Sequence, residues 1–179
     1  KLDGDQLEGA LKIDGGGARR VLSGTLAGAD FDLARLFRQG GYQKPPATGE
    51  PGETPLEFDS WTAHDVDLRV SLDAARLGSA RLGELAAQLM VRKGRFEAAI
   101  LRASAYGGVA RAKLLATAVP SGAEVKLQAG LDRVNLGQAA ADLPELLGGL
   151  TGFATGQIAL DGIGDSFEQV VGSLTGRAN

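Results

Sequence analysis

Hydrophobic and polar residues alternate with a period of two along much of this chain. The clearest example is residues 65–72, DVDLRVSL, in which every second residue is aliphatic. Successive side chains of a strand point to opposite faces of a sheet, so this pattern predicts antiparallel strands with one apolar and one wet face. The same alternation occurs in three further segments, at 6–13, 84–92 and 124–131.

Three other stretches have helical spacing of their apolar residues. They are 32–38, 135–147 and 165–174. In the second stretch, Asn135 is a suitable N-cap and Pro144 divides the stretch into two short helices. Helices this short need a sheet to lie on. Further candidate strands are 19–28, 95–104, 107–119 and 153–161.

These elements predict a mainly β fold. We expect an antiparallel, repetitive sheet, groove-like or sandwich-like, with three short helices packed on or beside it. An internal echo supports repetition: LAGADFDLARLF at 26–37 resembles AGLDRVNLGQAA at 129–140, each reading as a strand end, a polar corner and a helix. VSLDAARLG at 70–78 repeats the first half of this unit, which is typical of repeat architectures.

The chain divides into three parts. Residues 1–38 form a strand hairpin and a short helix that join the same sheet, with DGGGARR at 14–20 as the hairpin turn and its glycines at positive φ. Residues 39–57 are rich in Pro, Gly, Glu and Thr and predict a flexible loop. The strand pattern then resumes in a β-rich domain over 58–179.

Composition narrows the class of protein. The net charge is only -3 and the basic residues are scattered, so we expect no nucleic-acid partner. The absence of cysteine excludes disulfides and thiol chemistry. No run of 18 apolar residues and no signal peptide is present, so either the chain is cytosolic or a targeting segment precedes it. A beginning that opens directly into a strand favours the second interpretation.

No pattern of catalytic residues stands out. His64 is the only histidine, which excludes a histidine cluster around a metal, and its surroundings favour an exposed residue at a strand edge. No string matches the G-x-S-x-G nucleophile turn or a complete phosphate loop. Aromatic residues make up 5% of the chain, too few for the lined cleft of a glycosidase. We therefore predict a non-enzymatic protein without catalytic, metal or cofactor residues.

The order of several short motifs carries a resemblance. A D-x-D-L-R-x-S strand at Asp65–Ser71 is followed by an R-L-G corner at Arg76–Gly78, G-R-F at Gly94–Phe96 and A-Y-G-G at Ala105–Gly108. Downstream come a V-N-L-G helix, L-T-G opening a strand, G-I-G-D-S opening a helix, and S-L-T-G-R-A; upstream lies LSGTLAGADFDL. This order resembles the C-terminal region of the AsmA family of envelope proteins, over nearly the whole chain except 39–57.

The resemblance implies a bacterial protein with an inner-membrane anchor at its N-terminus and a large periplasmic part. In that family, repeated strands form a long groove with an apolar interior. Such proteins take part in outer-membrane biogenesis and are thought to carry phospholipid between membranes. The expected function is therefore a periplasmic segment of a phospholipid-conducting β-groove, with phospholipid or another envelope lipid as the partner.

The candidate site is the apolar face of the predicted sheet. Charged and amide side chains should lie on the opposite face, namely Asp67, Arg69, Gln88, Lys126 and Gln128. Burial of a CH₂ group contributes about 0.8 kcal/mol in a lipid groove or a closed core alike, so two alternatives stay open. They are an envelope module for structure or protein interaction without lipid contact, and an unrelated β-sandwich that binds carbohydrate or protein. The residues expected to face lipid are Leu68, Val70, Leu85, Leu89, Val125 and Leu127.

Overall fold

The computed structural model describes residues 7–32, 56, 58 and 62–179, apart from the side chains of Leu77 and Leu146. This part of the chain forms a single nine-stranded sheet in which the strands lie side by side in sequence order. The strands are β1 (Leu7–Asp14), β2 (Val21–Asp32), β3 (Asp65–Leu77), β4 (Ala80–Arg92), β5 (Arg95–Ala105), β6 (Gly108–Val119), β7 (Gly122–Asn135), β8 (Phe153–Gly164) and β9 (Thr175–Ala178).

The sheet is antiparallel at every pairing except one. Strands β2 and β3 run parallel, with Val21 opposite Asp65 and Asp32 opposite Arg76. The mainly antiparallel β fold is thus confirmed, whereas the parallel pair was not predicted. Parallel neighbours require a long connection, and residues 33–64 separate these two strands, while short turns join most of the others.

Tight turns connect β3 through β7. In each of the four turns two residues separate the strands, as at Tyr106–Gly107 between β5 and β6. Both of these residues have positive φ, 48° and 77°, the geometry that matches the twist of a two-residue hairpin. The longer turn between β1 and β2 is a hairpin as predicted, but the expected positive φ is wrong for Gly15–Gly17. There the Gly16 amide donates to Asp14 Oδ1 over 3.0 Å, which closes the turn without left-handed backbone.

Two of the three predicted helical stretches are confirmed. The first divides at Pro144 into α1 (Leu136–Asp142) and α2 (Pro144–Leu147), and Asn135 caps α1 by accepting a hydrogen bond from the Gln138 amide. The second is α3 (Phe167–Gly172), which Ser166 caps in the same way. In the third predicted stretch, 32–38, Asp32 belongs to β2 and the rest lies outside the described residues. The predicted loop 39–57 also lies outside them, except for Leu56.

The buried side chains form two clusters at opposite ends of the strands. The Phe31 cluster lies where β2, β3 and β5 end, and the Phe58 cluster lies where β6 ends and β7 begins. The Phe31 cluster consists of Phe31, Leu72, Ala75, Leu85 and Ala103, and the Phe58 cluster of Phe58, Ala116 and Ala123. Between them the strands continue without a fully buried layer of comparable size.

The predicted polar corners are irregularities within continuous strands, not strand ends. Leu72 and Ala75 both belong to the Phe31 cluster although they lie three residues apart, so the strand changes phase between them. The pairing of β5 with β6 shifts by one residue between Ile100 and Ala103, whereas β3 keeps its register with both β2 and β4 between Leu72 and Ala75. A residue inserted into one strand changes which side chains face the core while pairing continues. The expected strand ends within 26–37 and 129–140 are therefore placed too early, since β2 continues to Asp32 and β7 to Asn135, whereas β3 does end at the R-L-G corner.

Candidate functional site

The register places all six predicted site residues on one face of the sheet. In β3 and β4, Leu68 lies opposite Leu89. In β6 and β7, Leu127 lies opposite Leu114, which is joined to Leu89 through Ala98 of β5. Residues directly opposite in adjacent strands point to the same side. By alternation along the strands, Val70, Leu85 and Val125 share that side.

One row of this face crosses the whole sheet, and we call it the central row. Every member is aliphatic or glycine. It consists of Leu11, Gly24, Leu68, Leu89, Ala98, Leu114, Leu127, Leu160 and Gly176, one from each strand in order. Most of its members were not named from the sequence, although the period of two in the remaining predicted strands would have found Leu114 and Leu160. The apolar face is therefore continuous from β1 to β9.

The apolar face is covered unevenly. Leu85 is only 3% exposed, whereas Leu68, Leu89 and Leu127 are half-buried. At the β1 edge, Ile13 is 75% exposed. The middle and the first edge of the face thus keep apolar surface accessible among the described residues.

Phe58 covers the face at one end of the strands. It packs against Ala116 and Ala123 and against partly buried Phe96 and Val125, all of which lie on the apolar side. Its position is held from behind by Thr62, whose hydroxyl donates to the Phe58 carbonyl and accepts from the Gly94 amide. This end of the face is therefore closed by residues that precede β3.

Helix α1 lies near the other end of the strands and contacts both β4 and β7. Ala139 of this helix is buried, and the Tyr106 hydroxyl donates to Asp142 Oδ2 over 3.2 Å. Burial raises the pKa of Tyr106 above its usual value, and the backbone of Arg81 partly opposes that change. This contact and the Phe31 cluster therefore lie at the same end of the strands, opposite the Phe58 cluster.

The opposite face carries ion pairs along the strands. Glu97 accepts from Lys113 at 2.8 Å and from Arg95 at 3.1 Å, and these two hydrogen bonds lower the pKa of Glu97. Lys126 lies 3.0 Å from Glu124, and this contact raises the pKa of Lys126. Of the residues predicted for this face, Arg69 is opposite Gln88, Lys126 is opposite Asp161 and Gln128 is opposite Lys113, while Asp67 pairs with Arg92. The predicted division into two faces is confirmed.

We also searched the described residues for a histidine-based site, a metal site and a membrane-spanning helix. His64 is exposed just before β3. In the part of the chain that is described, no group of three or more His, Cys, Asp or Glu could hold a metal ion, and no helix has the length and apolarity to cross a membrane.

The comparisons with known proteins found no relative of this chain. No family model matches the chain, and no curated protein or solved structure is significantly similar to it.

Proposed function

We propose that this chain is a non-enzymatic segment of an AsmA-like periplasmic protein and that its apolar face holds acyl chains of phospholipid during transport between membranes. The observation that carries the proposal is the central row, which is aliphatic or glycine in all nine strands. Such a row offers an uninterrupted apolar path across the sheet, perpendicular to the strands.

The dimensions of the face suit this ligand. Neighbouring strands are about 4.8 Å apart, so a nine-stranded sheet is on the order of 38 Å wide. An acyl chain spans about half of a bilayer core that is roughly 30 Å thick, and it fits lengthwise on such a face. Each CH₂ group removed from water contributes about 0.8 kcal/mol, and the contact needs no polar partner.

The resemblance to the AsmA family supports the wider setting of the proposal. The segment would act in the periplasm as part of a longer β-groove, and the full-length protein would be anchored in the inner membrane. Its role would be in outer-membrane biogenesis.

A second candidate function rests on a different observation. At both ends of the strands, in the Phe58 cluster and the Phe31 cluster, apolar side chains are buried by residues of the chain itself. If other parts of the chain or a partner protein cover the middle as well, the segment is a structural or protein-interaction module of the cell envelope without lipid contact.

The substitution Leu127→Asp distinguishes the two functions. Leu127 is half-buried in the middle of the apolar face, and neighbouring Gln128 is exposed on the opposite face of the same strand. We expect protein purified without detergent to carry lipid that solvent extraction and mass spectrometry detect. The Leu127→Asp variant should stay folded and lose that lipid, because a carboxylate in the apolar path disfavours acyl chains.

The matched control is Gln128→Asp, which adds the same charge on the other face and should keep the lipid. If Leu127→Asp unfolds the protein, the middle of the face is a closed core and the structural module is the better interpretation. Wild-type protein without extractable lipid that also fails to bind an added fluorescent fatty acid would contradict the proposal.

A further inference from the structure

The polar face of the sheet contains a shallow depression that the proposed function does not use. It has a volume of about 530 Å³ and lies across β5 to β9. Its floor is formed by small residues that alternate with long ones across the strands: Ala99 is opposite Lys113, Gly130 lies between Arg111 and Gln157, and Ala159 lies between Gln128 and Arg177. Long side chains stand around this floor. They are Arg111, Lys113, Gln128, Gln157 and Arg177, and we call this group the basic depression.

The charge of the basic depression differs from that of the whole chain. Three of its lining side chains are cations and none is an Asp or Glu, whereas the chain as a whole carries -3. Among the described residues, neither Arg111 nor Arg177 has an ion-pair partner. Lys113 pairs with Glu97, but that carboxylate is shared with Arg95 and cannot neutralise both. Arg111, Lys113 and Arg177 are all exposed, so the depression carries an excess of positive charge among the described residues.

Apart from Glu97, which pairs with Lys113, the carboxylates that follow the lining residues along β7 and β8 lie at the border of the depression. Asp161 lies two residues beyond Ala159 on β8 and is opposite Lys126 of β7. Asp132 lies two residues beyond Gly130 on β7. Neither of them lines the depression.

The spacing of the cations indicates the size of the ligand. Lys113 and Arg177 are in one row across the sheet, separated by Gln128 and Ala159, so three strand spacings of about 4.8 Å lie between them. Arg111 lies two residues from Lys113 on β6. One phosphate group is too small to contact the cations of β6 and Arg177 of β9 at the same time. Guanidinium groups bind phosphate oxygens in pairs, and the amides of Gln128 and Gln157 add donors between them.

The geometry points to the basic depression as a binding site for an anion with two or more phosphate groups. The source of these groups is either the headgroups of a membrane rich in anionic phospholipid or a free polyphosphate in solution. This site lies on the face opposite the acyl-binding face and does not depend on the function proposed for that face.

The test uses the full chain and two probes, inorganic tripolyphosphate and vesicles of phosphatidylglycerol, with phosphatidylcholine vesicles as the neutral reference. We expect binding to phosphatidylglycerol vesicles or to tripolyphosphate that weakens as salt is added. Binding to vesicles alone identifies headgroups as the source, and binding to tripolyphosphate identifies a free anion. The absence of binding to both probes at low salt overturns the inference.

The decisive variant is the double substitution Arg111→Gln with Arg177→Gln. Each cation near an anionic surface contributes about a fivefold change in binding, so we expect about a 25-fold loss. The matched control is Arg20→Gln with Arg69→Gln, which removes the same charge from exposed residues outside the depression. Equal losses in both double variants would show binding by overall charge alone and would overturn the inference.

Circular dichroism and thermal melts establish that both double variants keep the fold. The Leu127→Asp variant separates this inference from the proposed function, because it should lose acyl binding and keep anion binding. The converse result is expected for Arg111→Gln with Arg177→Gln. This double variant should lose anion binding and keep lipid on the apolar face, which would support two separate sites.

Discussion

Leu85 and Leu127 lie on the same face of the same sheet, but their surroundings differ. Leu85 is 3% exposed because Phe31 and Ala103 pack with it in one cluster. Leu127 has Leu114 and Leu160 beside it in the neighbouring strands and remains half-buried. Leu85 is thus buried by side chains from other strands of the same sheet, at the end where the pairing of β5 with β4 and β6 is irregular, whereas Leu127 has only its cross-strand neighbours around it.

The comparison separates stability from binding. At one end of the strands the face is covered by Phe58, which precedes β3; at the other end the buried residues of the Phe31 cluster all belong to strands of the sheet itself. In the middle, the half-buried residues leave apolar surface for a ligand. We therefore expect substitutions at the ends to change the free energy of unfolding, and substitutions in the middle to change binding.

The largest effect is expected for Leu85→Asp. This change places a carboxylate without a cationic partner in a site that is 3% exposed, which costs more than the stability of a typical domain can tolerate. We expect loss of cooperative unfolding in circular dichroism and urea titration. The Leu127→Asp variant carries the same new charge but should stay folded, and its unfolding in urea should remain a single cooperative transition. If both variants behave alike, the distinction between covered ends and accessible middle fails.

Next in size is Phe58→Ala. Removal of a buried phenyl ring that packs on Ala116 and Ala123 should lower the free energy of unfolding by about 3 kcal/mol. Phe153→Ala is the matched control, because Phe153 is 72% exposed and its removal should cost less than about 0.5 kcal/mol. Urea denaturation measures both values. Equal costs would indicate that Phe58 does not cover the sheet in solution.

A smaller effect is expected for Thr62→Val. Thr62 is 2% exposed, and its hydroxyl accepts from the Gly94 amide, so valine leaves that amide without an acceptor. The loss should be about 1–3 kcal/mol by thermal or urea unfolding. Thr155→Val is the control, because Thr155 accepts from the Arg133 amide at an exposed position where water replaces the hydroxyl. A larger cost for Thr155→Val than for Thr62→Val would contradict the described anchoring.

The smallest effect concerns Glu97 on the polar face. Lys113 and then Arg95 lower its pKa below the ordinary value of 4.5, so its contribution to stability is present above that value and is lost as pH falls through the lowered pKa. Because the pair is exposed to solvent, we expect less than about 1 kcal/mol. The difference in unfolding free energy between wild type and Glu97→Gln should shrink on acidification. A difference that stays constant between neutral and acidic pH would contradict this assignment.

The side to which each residue points could be predicted from the sequence alone. Val125 and Leu127 alternate with Lys126 and Gln128, and a slip of one residue would bury both polar side chains. The eight strands named from the sequence and the two helical stretches after β7 and β8 follow from similar local patterns. Local alternation is sufficient to predict these elements because each strand pairs mainly with its neighbour in sequence.

What covers the apolar face could not be predicted in this way. Phe58 lies outside the strands and Phe31 lies in β2, two strands from Leu85, and no periodicity links either of them to its partners in the clusters. The change of phase between Leu72 and Ala75 was also missed, although the spacing of three residues is visible in LDAA and again in LDRV. The basic depression escaped notice because it forms only when the register places small residues of some strands between long side chains of their neighbours.

The parallel pairing of β2 with β3 has a consequence for the order in which the chain folds. Strands β3 to β7 are joined by two-residue turns, so each new hairpin closes only a short loop and can form quickly. The β1–β2 hairpin is equally local, but its attachment to β3 must bring together segments on either side of residues 33–64. Contacts between residues distant in sequence slow folding. We therefore expect the β3–β7 meander to form first and to serve as the template on which the β1–β2 hairpin docks last.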